Sequence, residues 1–103
     1  MSKPDSKVPP VTATLHLVNK TPDHSRFAEC LLAMGQGDYL LLMENAVVAV
    51  ADCRHRLPPD TGFLVADARA RGLGDEPSEK GPQPLEYADM VRLTDRFHRI
   101  VSW

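Results

Sequence analysis

Proline placement constrains this chain more than any other feature, because proline stops helix interiors and central strands. Nine prolines occur in 103 residues. Pro4, Pro9, Pro10 and Pro22 lie early, Pro58 and Pro59 form a pair, and Pro77, Pro82 and Pro84 form a cluster. The stretches between Pro22 and Pro58 and beyond Pro84 are free of it, and with residues 63–73 they are expected to hold most of the regular structure.

Residues 1–11 mix Ser, Lys, Asp and Pro and read as a flexible tail, leaving residues 12–103 as one domain. Residues 12–18 (TATLHLV) read as a first strand. Thr21 then reads as an N-cap with Pro22 at the first helical position. Phe27, Leu31 and Met34 follow at helical spacing, and Gly35 and Gly37 end the helix. Residues 38–44 (DYLLLME) form a continuous apolar run, the pattern of a strand buried on both faces. Asn45 is placed to cap a short helix over 46–52. Residues 54–61 read as a loop, 62–66 as a third strand, and 67–71 as a short helix capped by Asp67 and ended by Gly72. Residues 74–84 read as a mobile loop. Residues 85–97 read as a last helix, with a short strand at its start as the alternative. In it Tyr87, Val91 and Thr94 lie on one side, with Met90 and Leu93 beside them. Residues 98–103 (HRIVSW) read as a terminal strand or extended tail. Strands alternating with helices imply an α/β fold with a mostly parallel sheet and helices on both faces.

Composition narrows the function. Apolar residues make up 43% and charged residues 25% of the chain, near the globular average. No apolar run reaches about 18 residues, so no membrane span is expected. Residues 1–10 have no apolar segment of the secretory type. The net charge of -2 offers no case for direct nucleic-acid binding. Two cysteines, Cys30 and Cys53, make no disulfide framework. The reading is a cytoplasmic protein with reduced thiols.

Site chemistry is sparse. The turn after the first strand, residues 19–24, contains no glycine, and Pro22 removes one N–H, so no dinucleotide or phosphate cradle is expected. His16, His24, His55, His98, Cys30 and Cys53 lack metal-ligand spacing, so no cofactor or metal is expected. His16 alternates with Leu15 and Leu17, which places it on the opposite sheet face. Ser25, Ser78 and Ser102 lack a nucleophile-elbow context. Glu44 and Asp67 end predicted strands, where parallel sheets place functional groups, although such carboxylates also serve as helix caps. Cys30 lies on or beside the apolar stripe of the first helix. It reads either as a small buried hydrophobe or as a thiol able to hold a persulfide, if Arg26 lowers its pKa. Cys53, between Asp52 and the basic run Arg54, His55 and Arg56, reads as an incidental surface thiol.

Several segments resemble one known family in order and spacing. They are residues 15–22 (LHLVNKTP), 30–32 (CLL) followed by 37–42 (GDYLLL), 68–73 (ARARGL), and the tail from 87–94 (YADMVRLT) to Trp103. The chain resembles the DsrH/TusB sulfur-relay subunits over residues 15–103. The resemblance implies a DsrE-like α/β fold and a heterohexamer with TusC-like and TusD-like paralogues. That complex takes persulfide sulfur from a TusA-like donor and passes it to a TusE-like acceptor, toward 2-thiouridine at the tRNA wobble position. The alternative within the family is a DsrH-type subunit of a DsrE–DsrF–DsrH sulfur-oxidation complex, with Cys30 as auxiliary persulfide carrier. In both branches the resemblance assigns the main sulfur-carrying cysteine to another subunit. Phe97, Ile100, Val101 and Trp103 are more apolar than a loose tail needs and are the interface candidates.

Overall fold

The computed structural model describes residues 11–52, 56–74 and 81–103. The expectations placed on residues 1–10, on Cys53, and on 75–80 lie outside the described residues. The chain runs β1 (Thr14–Val18), α1 (Ser25–Ala33), β2 (Tyr39–Leu42), a 3-10 turn (Glu44–Val48), α2 (Ala49–Asp52), β3 (Thr61–Leu64), α3 (Val65–Ala70), β4 (Gln83–Leu85), α4 (Tyr87–Arg96) and β5 (Arg99–Ser102). The five strands form one sheet in the order β4-β3-β2-β1-β5, and every pairing is parallel.

This order explains the layering. The first three crossovers step in one direction, from β1 to β4, and right-handed connections then put their helices on one face. The fourth crossover returns from β4 to β5 beside β1, so α4 lands on the other face. The two apolar clusters follow this division. Val18, Leu40, Leu42 and Phe63 pack with Phe27 and Cys30 of α1, with Ala46 and Val47, and with Ala49 and Ala68. Leu15 and Leu41, the alternate residues of their strands, pack with Leu93 of α4, flanked by Leu17, Tyr39, Leu85, Met90 and Phe97. The middle of β2 is fully buried because both its faces are covered, as the unbroken LLL run implies.

Four details differ from the sequence reading. α1 starts at Ser25 rather than at Pro22, because His24 is the N-cap and its Nδ1 accepts from the Arg26 N–H at 3.0 Å. Thr21 and Pro22 belong to the turn before it. α3 starts at Val65 directly from β3, so Asp67 does not cap it. Asp67 Oδ2 instead accepts the Glu44 N–H at 2.7 Å, holding the first residue of the 3-10 turn, whose φ is 51°. That turn begins at Glu44, so Asn45 is not its cap. Its Oδ1 accepts from Arg71 Nη2 at 3.0 Å.

The fourth difference is an added strand. Residues 83–85, expected within a loop, form β4. Pro84 fits because β4 is an edge. With no N–H on Pro84, the bonding to β3 falls to Gln83 and Leu85. On α4 the buried side is Met90, Leu93 and Phe97, whereas Tyr87 and Val91 face outward, Val91 at 61% exposure.

Gly62 of β3 makes room for this edge. A Cβ there would lie 2.6 Å from both Tyr39 Oη and Leu85 Cδ1. Gly62→Val is therefore expected to cost about 1–3 kcal/mol through overpacking. Gly74→Ala, in open space, should stay within about 0.5 kcal/mol of the parent. Urea unfolding midpoints of the two variants test the contrast.

Candidate functional site

The carboxyl ends of β1 and β5 adjoin where the direction of strand addition reverses, the position at which open parallel sheets take ligands. Here that position is filled by the chain itself. The Trp103 N–H donates to Leu17 O at 2.8 Å, which continues the ladder past β5. Lys20 Nζ, in the turn after β1, donates to the Trp103 backbone oxygen at 2.7 Å. The indole lies nearly parallel to the His16 ring, edge to edge, at 6.0 Å between centroids, and the Arg26 guanidinium lies 5.0 Å from the indole centroid.

Beneath the indole is a buried polar chain. Trp103 Nε1 donates to His16 Nδ1 at 3.0 Å, and His16 Nε2 lies 2.9 Å from Asp38 Oδ2. An indole N–H only donates, so Nδ1 accepts and the imidazole proton sits on Nε2, facing the carboxylate. Asp38 also accepts the Thr14 N–H at 2.8 Å and the Gly35 N–H at 2.9 Å. Burial alone would raise the Asp38 pKa, but the N–H bonds from Thr14 and Gly35 outweigh it, with a further contribution from His16. The result lies below the ordinary value. His16 was read as lying across the sheet from Leu15 and Leu17, and it does. Its partners 22 and 87 residues away gave no local signal.

Cys30 is packed in the α1-side core at 1% exposure. Burial pushes its thiol up to about 12. Arg26, expected as its activating charge, is instead spent on the Trp103 ring and on Glu29 Oε1 at 3.0 Å. A thiolate is the nucleophilic form, and burial keeps this group as the neutral thiol.

The interface candidates separate. Phe97 packs under α4, Val101 is half-buried on the His16 face, and Trp103 is half-buried over His16. Ile100 shares the Leu15 face and is 44% exposed. Glu44 Oε1 accepts from Asn19 Nδ2 at 3.5 Å, and Asp67 Oδ2 accepts the Glu44 N–H, so the two carboxylates are not paired with each other. A groove of about 240 Å³ runs between α4 and the sheet, lined by Tyr39, Leu85, Asp89, Arg92, Leu93 and Arg96. Burial raises Tyr39 to about 12, with Asp60 and Asp89 adding to the rise. Among the described residues, no group of three or more His, Cys, Asp or Glu is placed to hold a metal, and no helix is long and apolar enough to cross a membrane.

The fold is a parallel three-layer α/β domain in which Trp103 covers the carboxyl end of β1 and Cys30 is buried. Residues 20–100 match the family described as DsrH like protein. The chain is also similar to Protein TusB of Escherichia coli (strain SE11) and to Protein TusB of Shigella boydii serotype 18. Each is 33% identical over 95 residues, covering 86% of this chain and 99% of the relative. The chain belongs to the DsrH/TusB family of sulfur-relay subunits.

Two outcomes follow from the geometry. Asp38→Ala strands two backbone N–H groups and the His16 Nε2–H, and should cost about 3 kcal/mol. The folded pKa of Asp38 lies below its unfolded value. Its charged-state contribution is thus complete above about pH 4 and is lost as the pH falls through the depressed folded value. Urea unfolding across that window should show the loss in the parent and not in Asp38→Asn. Cys30 should resist a colorimetric disulfide reagent in the folded chain and react at full stoichiometry in denaturant.

Proposed function

We propose that this chain is the TusB-type subunit of a relay that moves persulfide sulfur toward 2-thiouridine at the tRNA wobble position. Its role there is to hold partner subunits rather than to carry the sulfur. The observation behind this reading is the pairing of near full-length similarity to Protein TusB with a cysteine sequestered in the core. Sulfur relay by persulfide needs an accessible thiolate, and Cys30 offers neither access nor charge. TusC-like and TusD-like paralogues complete the heterohexamer. The TusA-like donor and TusE-like acceptor exchange sulfur on a thiol of another subunit. The exposed apolar side chains on the α4 side, Ile100 with Val91 and Tyr87, are the contact surface of this reading.

The DsrH description of the matched family supports a second reading, a DsrE–DsrF–DsrH sulfur-oxidation complex. Deleting the gene separates the two. Loss of 2-thiouridine from tRNA supports the first, and unchanged 2-thiouridine with impaired sulfur oxidation supports the second.

Reconstitution tests the scaffold role. Co-expressed with both paralogues, the chain should elute as one complex. A Cys30→Ser complex should transfer sulfur within about twofold of the parent rate, since a structural thiol contributes nothing to chemistry. Ile100→Asp should reduce co-purification of the paralogues while the isolated chain keeps its far-ultraviolet circular dichroism. A lone monomer, or an abolished transfer rate with Cys30→Ser, would sink the reading.

A further inference from the structure

We infer that Trp103 is an acid-released latch. Protonation of His16 at Nδ1 expels the indole from the carboxyl end of the sheet. The inference is independent of the sulfur-relay reading.

Both imidazole nitrogens of His16 are engaged. Nε2 carries its proton toward Asp38 Oδ2 at 2.9 Å, and Nδ1 accepts the Trp103 indole N–H at 3.0 Å. A second proton has only Nδ1 to occupy. Placed there, its N–H points at the indole N–H. The imidazolium and the Trp103 hydrogen bond therefore exclude each other. His16 is 4% exposed, and turning its ring to spare the indole would give up the bond to Asp38.

The charged groups facing the pair are Asp38, just before β2, Arg26 of α1 over the indole, and Lys20 on the Trp103 oxygen. Arg99 of β5 lies in register with Thr14 on the His16 face. Glu29 is turned away, paired with Arg26, and His24 is engaged with the Arg26 N–H. The backbone of Trp103 stays tied through its N–H to Leu17 and its oxygen to Lys20. Release therefore swings the indole without unpairing β5. It uncovers the end of β1, which the indole otherwise closes.

Trp103 is the sole tryptophan of the chain, so its signals are unambiguous. The full chain is titrated from about pH 8 to about pH 5, the range in which a histidine changes charge. Indole fluorescence and near-ultraviolet circular dichroism are read beside far-ultraviolet circular dichroism. Proton–nitrogen NMR follows the His16 ring and the indole N–H in the same samples. The expected result is a neutral His16 with its proton on Nε2 at the upper end. On acidification the imidazole gains Nδ1–H. Solvent exchange of the indole N–H then speeds up by at least about tenfold, as a lost hydrogen bond requires, with secondary structure unchanged. His24→Gln should keep the transition and His16→Gln should abolish it. If His16→Gln does not fold, the NMR titration of the parent chain decides alone. An indole N–H that stays protected once His16 is protonated overturns the latch. So does a change that coincides with loss of secondary structure, or a transition that disappears with His24→Gln.

Discussion

One buried carboxylate holds this fold in register. Asp38 accepts the Thr14 N–H at the start of β1, the Gly35 N–H in the turn after α1, and the Nε2 proton of His16. Through His16 it also holds the Trp103 indole. Buried acceptors with three donors are costly to lose, because each orphaned donor pays the desolvation of an unmade bond. A sheet that is parallel throughout has no hairpins to set its register. A polar tie across three elements supplies what tight turns supply in antiparallel sheets.

The broad fold was legible because its signals are local. The LLL run of β2, the Phe27, Leu31 and Met34 spacing of α1, and the β-branched start of β1 all report burial in the order of the chain. The errors arose where distant partners decide. β4 exists because Leu85 and Tyr39 meet over Gly62, which a proline-rich segment does not announce. α1 starts late because a histidine ring, not Thr21, takes the first N–H. Asp67 looked like a cap for its own helix and serves a turn 23 residues away. On α4 the face of Met90, Leu93 and Phe97 meets the sheet while the adjoining side of Tyr87 and Val91 does not, a choice that only the packing makes.

The candidate site was less legible still. His16, Cys30 and Trp103 each stand out locally, and only folding joins His16 to Trp103. Helical spacing puts Arg26 near Cys30, whereas the tertiary fold puts it over the indole. What the geometry leaves to Cys30 is packing.

The two borders of the sheet are unlike. Along β4 the outward backbone position is Pro84, which has no hydrogen to donate. Along β5 the inward N–H of Trp103 sets the alternation, so Ile100 and Ser102 turn their backbone groups outward. At Pro84 the β4 margin offers a carbonyl acceptor and no donor, whereas the β5 margin offers both.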